Sequence, residues 1–302
     1  MFLAVYRKTL GDLSEPKSIV AYLIVFLSVL FFLALGFTGE LPDGVTSLPL
    51  AEQELELLKL YAPLSWFWGV GIGLLAAGSL LVSLTLATEA ERGTLDLVLS
   101  KPVRRWEVLL AVFLANITFL FAVAVASVLL VAVALYVMGG FSAAALDGGV
   151  FAVLPATLVY TLFVCAFINA VGMAVSVFTR SRLQTAALTA VVPVLFFVLF
   201  VARVFPGSIY EDYSLYLLDV GYHLGNVYTL VVDAVAGPFS PEVQAQVGFW
   251  TGVYEVPENP GAVEGSLELI GYVDPGVSLA LCLLVTLGSL AVAIVQFQRL
   301  DV

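Results

Sequence analysis

Six stretches of this chain run for some twenty residues or more with almost no charged side chain: 19–37, 66–87, 108–138, 150–178, 183–204 and 277–297. Hydrocarbon holds no water to bond the backbone, so a crossing segment satisfies its own N–H and C=O groups as a helix of about 20 apolar residues. Each stretch therefore predicts a membrane-spanning helix. The third and fourth exceed what a bilayer requires, which predicts tilt or projection beyond it. Pro193, inside the fifth, has no N–H for the helix ladder and predicts a kink.

The polar intervals carry their own patterns. In residues 1–17, Phe2, Leu3, Tyr6, Leu10 and Leu13 share one helical face while Lys8, Gly11 and Asp12 lie opposite. Such a helix rests in the interface plane rather than crossing, and Pro16 turns the chain into the first span. A short helix is expected at 51–61. The long interval 205–276 is rich in Gly, Pro and aromatic residues, and within it 213–235 reads as a helix interrupted by Asp219, His223, Asn226 and Asp233. Four such groups in lipid would be costly, so this helix is expected to cap the bundle or dip partly into it. A seventh span would also carry Arg299 to the opposite side.

Composition agrees with these spans. Apolar residues are 61% and charged residues 12% of the chain, and the mean hydropathy is +1.07. Soluble domains are roughly half apolar and about a quarter charged. The expected fold is thus an all-α integral membrane protein: one domain over 1–302, a six-helix bundle with an N-terminal interfacial helix and a helical external segment. The start lacks a short apolar core followed by a small-residue cleavage site, so no cleavable signal is expected. Cys165 and Cys282 fall inside apolar runs, which argues against a disulfide or a Cys-based metal site. His223 is the only histidine; without a second His or an external Cys, a structural role is expected rather than zinc binding.

Charge sets the orientation. With a cytoplasmic N-terminus, Arg7, Lys8, Lys17, Arg92, Lys101, Arg104, Arg105, Arg180, Arg182 and Arg299 are inside, and only Lys59 and Arg203 are outside. The positive-inside rule selects this arrangement, with both termini in the cytoplasm. Acidic residues lie mostly outside: Glu40, Asp43, Glu52, Glu54, Glu56, Asp147 and ten more between Glu211 and Asp274. Lysine is scarce, four against eight arginines. An exterior of high salt, where carboxylates keep a surface hydrated, would account for both features.

The short interval 89–107 is unlike its surroundings, being dense in both signs of charge. Gly93 permits a break after the second span, Pro102 stops whatever helix follows, and Thr94 can cap a short helix between them. Leu95, Val98 and Leu99 give that helix an apolar edge suited to a groove on a soluble partner. On composition alone the interval could equally be a solvated loop that only orients the spans. Its residue order says more. The run EAERGTLDLVLSKPVRRWEVLLAVFLAN resembles the signature of ABC type-2 transporter permeases, at Glu89, Glu91, Arg92, Gly93, Thr94, Leu95, Asp96, Leu99, Pro102 and Arg105.

The resemblance implies that these residues belong to a coupling region touching an ATP-binding subunit. It also implies an interfacial N-terminal helix, six spans and a large external segment before the last span. One departure is Val112, where such permeases commonly carry a lysine; Arg104 and Arg105 can still reach the interface. No glycine-rich phosphate loop with its lysine occurs, since none of the four lysines follows a glycine. ATP and Mg are therefore expected in a partner and no cofactor in this chain. The implied assembly, in the cytoplasmic membrane, holds two copies of the ATP-binding cassette subunit, plus a second copy of this chain or a sibling permease. Membrane lipid is its surroundings, nucleic acid is no partner, and the implied activity is export of an unspecified substrate.

Within the spans, Gly69, Gly73 and Ala77 recur at four-residue intervals, a spacing that lets helix backbones approach closely. Asn116, Thr118 and Asn169 are polar at membrane depth, where bonding between helices or contact with a pathway is expected. Arg203, near the outer end of its span, can snorkel or pair with Glu211 or Asp212. Two further readings stay open: a force-transmitting scaffold that acts on an extracytoplasmic partner through 205–276, and an ion-driven transporter. The second calls for ionisable groups at mid-membrane, which the spans do not offer. No arrangement diagnostic of an enzyme is present.

Overall fold

The computed structural model describes residues 2–42, 44–93, 104–205, 207–257 and 265–299. These are helical apart from turns and one isolated antiparallel bridge, Tyr254 to Leu269. In chain order the helices are α1 (Phe2–Leu13), α2 (Pro16–Thr38), α3 (Leu50–Glu91), α4 (Arg105–Gly139) and α5 (Asp147–Thr179). There follow α6 (Arg182–Val204), α7 (Gly207–Asp212), α8 (Val220–Val235), α9 (Pro241–Thr251) and α10 (Pro275–Gln298). Six of them, α2 to α6 and α10, are long and apolar enough to cross a membrane, and they fall on the six predicted stretches.

An even number of crossings puts α1, the α3–α4 connection, the α5–α6 turn and the end of α10 on one face, here the terminal face. The distal face carries the other connections and the segment from α7 to α9. Lipid tails are as apolar as leucine, so close packing and hydrogen bonds between helices hold such a bundle together. The packing glycines are correspondingly tight. A Cβ on Gly73 would lie 3.3 Å from the Phe26 ring of α2, and one on Gly172 would lie 2.9 Å from Val82 of α3. Hydrogen bonds add to this: Trp68 Nε1 donates to the Phe26 carbonyl at 3.2 Å, and the Tyr22 and Ser127 hydroxyls lie 2.9 Å apart.

Two elements differ from the sequence expectation. The helix expected at 51–61 is not separate: it is the distal end of α3, a helix of 42 residues. At 1.5 Å per residue that is roughly 60 Å, about twice the hydrocarbon thickness, so its charged end projects. Pro63 lies inside it and costs one donor, and the chain continues through π-helical stretches at Ser65–Ile72 and Ser83–Ala87. The helix expected from 213 starts instead at Val220, because Asp219 takes the N-cap and its carboxylate accepts from the Tyr222 N–H at 3.0 Å. Ser214, at φ +50°, turns the chain before it. α8 lies against the distal parts of α5 and α10, its first half, from Gly221 to Thr229, buried on all sides.

Pro193 interrupts α6 as expected, with a break at Ala190. The carbonyl that loses its donor to Pro193 is that of Thr189, four residues earlier. Ser79 of α3 reaches it: its hydroxyl is shared between the Leu75 carbonyl at 2.8 Å and the Thr189 oxygen at 3.2 Å.

Candidate functional site

The α3–α4 connection is described up to Gly93 and again from Arg104. Thr94, Leu95, Asp96, Leu99 and Pro102, and with them the expected short helix, lie outside the described residues. The flanking residues are placed. Gly93 has φ +70°, a left-handed turn that glycine adopts without strain and that ends α3. Glu89 forms an ion pair with Lys8 of α1; both are solvent-accessible, so the pair contributes at most about 1 kcal/mol. Glu91 Oε2 accepts from the backbone N–H of Arg182 at 3.2 Å. That N–H opens α6, where unpaired donors and the helix dipole favour a carboxylate. Arg105 Nη1 donates to the Gln298 carbonyl at 3.2 Å, placing a cation at the end of α10. The two edges of the connection are thus bonded to α1, α6 and α10, three helices far away in sequence.

Deeper in the bundle, the polar residues of α3, α4 and α5 meet. Asn116 Nδ2 donates to Asn169 Oδ1 at 3.1 Å and to Thr85 Oγ1 at 3.2 Å, and Asn169 Nδ2 donates to the Phe113 carbonyl at 2.9 Å. Both asparagines are fully buried. Thr85 was not anticipated as their partner; it lies in the second π-helical stretch of α3, and its only sequence signal is a hydroxyl within an apolar run. Thr118 accepts from the Tyr6 hydroxyl of α1 at 3.1 Å. Gly69 packs toward Val128 and Val131 of α4.

The distal face holds a second cluster. Arg203 does not pair with Glu211 or Asp212 as expected; its Nη1 donates to Asp219 Oδ2 at 2.9 Å and its Nη2 to the Trp250 carbonyl at 2.6 Å. Asp219 is fully buried and capping α8, which makes it the nearer partner once the chain folds back. The Tyr210 hydroxyl donates to the same carboxylate oxygen at 2.8 Å. Burial first, and then the Asp219 charge, raise the Tyr210 hydroxyl well above the ordinary phenol value, so it remains a donor. Phe200 lies under the guanidinium at 5.7 Å.

His223 has a structural environment. Its Nε2 lies 3.2 Å from the Leu217 carbonyl, which can only accept, so Nε2 carries the proton. Nδ1 faces the Ser278 hydroxyl at 3.0 Å, and Ser278 also accepts from Asn226 at 3.0 Å. No group of three or more His, Cys, Asp and Glu suited to a metal occurs among the described residues. Cys165 and Cys282 are buried and unbridged.

A six-span bundle whose second span ends in this charged connection is the setting in which the comparison with known families decides. A family model described as "ABC-2 family transporter protein" matches residues 13–302. The chain belongs to that family. A search of curated proteins finds no match. Membership makes this chain a membrane protein of the ABC transporter class, and the six apolar helices fit a multi-pass permease. It also implies a partnership with an ATP-binding cassette ATPase. The match starts at Leu13, the last residue of α1, so it spans the α3–α4 connection, all six spans and the distal segment.

Proposed function

We propose that this chain is the permease subunit of an ATP-driven exporter of the cytoplasmic membrane, with both termini in the cytoplasm. A separate ATPase, in two copies, hydrolyses ATP, and a second copy of this chain or a sibling completes the pathway. The observation that carries the reading is the bonding of the α3–α4 connection to α1, α6 and α10 through Glu89, Glu91 and Arg105. A partner that displaces this connection acts at once on the first helix and on four of the six spans, α3, α4, α6 and α10. That is what coupling of a nucleotide-driven movement to a bundle requires. The ten basic residues of the terminal face, against two on the distal face, support its cytoplasmic position.

The test is co-purification of the tagged chain with the ATPase encoded beside it. The wild-type chain is expected to retain a stoichiometric ATPase. Leu95→Arg with Leu99→Arg, which charges the apolar edge, is expected to lose it while the permease melts normally. A double variant that keeps the ATPase and its activity would remove the interval 89–107 from the coupling role.

A further inference from the structure

Between the end of α6 and the cap of α8, the chain shows solvent an unusual set of side chains. Phe205 is 80% exposed, Tyr213 74%, Leu218 67% and Leu217 58%, each more than any other large apolar residue described outside the six spans. Ile209 adds to them. An aqueous distal face would not leave such a patch bare without a partner.

We propose that Phe205 and residues 209–218 form a second interfacial anchor, resting on the distal headgroup layer, and that its partner is zwitterionic phospholipid. Continuity is the first argument. The segment starts where α6 leaves the bilayer, and Val194, Val198 and Phe205 stand on one face of that helix, all exposed. The lipid-facing row of α6 therefore runs on into the patch. Ile209 and Tyr213, joined by the bond from the Tyr213 N–H to the Ile209 carbonyl, stand on one face at α7. Aromatic rings and Leu beside the carboxylates of Glu211 and Asp212 have the apolar-and-polar make-up of a segment that lies in the headgroup boundary.

Charge selects the lipid and disfavours a protein partner of the same kind. No Lys or Arg occurs from 204 to 298, so the segment has no cation to draw it to anionic headgroups. A second copy seated on this patch would bring Glu211 and Asp212 against an equally acidic face. The only basic residues on that face, Lys59 and Arg203, are already paired with Glu56 and Asp219. The headgroup layer hydrates those carboxylates instead. The inner side of the segment is fastened to α8, by Tyr210 on Asp219 and by the Leu217 carbonyl on His223. The depth of the anchor thereby sets where the capped end of α8 stands. This goes beyond the transport reading and needs only that the spans lie in a bilayer.

The test uses the full chain with Cys165→Ala and Cys282→Ala, in phosphatidylcholine vesicles, carrying one nitroxide at Tyr213→Cys or Leu218→Cys. Collision with oxygen is compared with collision with a water-soluble nickel chelate. Leu284→Cys, mid-way along α10, is the lipid reference, and Glu255→Cys, on the distal face, is the water reference. The oxygen-to-nickel ratio at 213 and 218 is expected several-fold above that at 255, below that at 284, and unchanged when a third of the lipid is made anionic. A ratio equal to that at 255 overturns the anchor. Low collision with both reagents means that protein covers the patch, and also overturns it. A ratio that climbs with anionic lipid overturns the choice of headgroup. Leu217→Cys gives the same reading if either labelled variant fails to fold.

Discussion

Arg203 and Asp219 lend themselves to a double-mutant cycle, because the two are nearly or wholly out of solvent. The guanidinium is 11% exposed and the carboxylate 0%. Arg203→Met keeps the volume and removes the charge, leaving a buried carboxylate whose remaining donors are the Tyr210 hydroxyl and the Tyr222 N–H. Breaking one side of a buried pair costs about 3–5 kcal/mol. The two surviving bonds put this site at the lower end, about 3 kcal/mol. Asp219→Leu strands the guanidinium, although the Trp250 carbonyl and the Phe200 ring still serve it. It also removes the α8 cap, worth about 1 kcal/mol, for a total of about 3–4 kcal/mol. With both changes no charge is buried, and exchange of a buried pair for apolar groups is often close to neutral. The lost cap and the orphaned Tyr210 hydroxyl remain, together about 2 kcal/mol.

The cycle therefore predicts a coupling of roughly 4–5 kcal/mol between the two positions, whereas independent sites add to within about 0.5 kcal/mol. Thermal unfolding of the purified chain in detergent, followed by circular dichroism, reads it. At about 2 °C per kcal/mol for a chain of this size, Arg203→Met melts about 6 °C lower and the double variant only about 4 °C lower. A double variant whose shift reaches or exceeds the two single shifts combined would refute the reasoning. It would mean that the pair does not hold α8 to α6 through its charges.

Three further outcomes follow from the geometry. Ser79→Ala leaves the Thr189 carbonyl without its donor and should cost about 1–2 kcal/mol; Pro193→Ala in the same chain restores a backbone N–H there and should recover most of it in the melt. Asn169→Leu removes the central link of the α3–α4–α5 node and should cost about 1 kcal/mol, in keeping with hydrogen bonds between membrane helices; an unchanged melting temperature counts against the node. The distal face carries sixteen carboxylates against Lys59 and Arg203, so raising salt from millimolar to molar should raise the melting temperature by screening their repulsion, and a flat or falling response would count against an acidic face adapted to salt.

The spans were legible in the sequence because lipid imposes a one-dimensional rule: a run of apolar residues either is or is not long enough. The first was expected at 19–37 and lies within α2, Pro16–Thr38. Local chemistry was legible as well, as at Pro193 and Gly93, where one residue's backbone decides the outcome. What escaped depends on neighbours remote in sequence. Arg203 had carboxylates eight and nine residues away, yet the one that meets it is sixteen residues on, because Asp219 returns as the cap of α8. Thr85 and Asn116 are thirty-one residues apart and Asn116 and Asn169 fifty-three, so no local pattern joins them. The α3–α4 connection was legible as a charged interval between two apolar runs, while its bonds to Arg182 and Gln298 cross distances that no spacing rule covers.

The continuity of α3 gives the proposed coupling a path. Its terminal end is Glu91, bonded to the start of α6, and its distal end is Leu50, beyond the bilayer. Between them the helix meets the polar node through Thr85, the broken turn of α6 through Ser79, and the aromatic residues of α6 and α9 through Phe67. Phe67 lies 4.9 Å from Phe200 and 4.6 Å from Trp250, ring centre to ring centre. Those two residues are also the ring under Arg203 and the carbonyl in front of it. One helix thus touches both the edge of the α3–α4 connection and the surroundings of the ion pair that holds α8. Its two departures from regular α-helix, at Ser65–Ile72 and Ser83–Ala87, fall where it touches the aromatic cluster and the polar node. π-helical stretches inside α-helices are frequent at functional sites. A movement imposed at Glu91 would then be carried by the regular part of α3 and absorbed at those two stretches, next to the contacts that position α6 and α8.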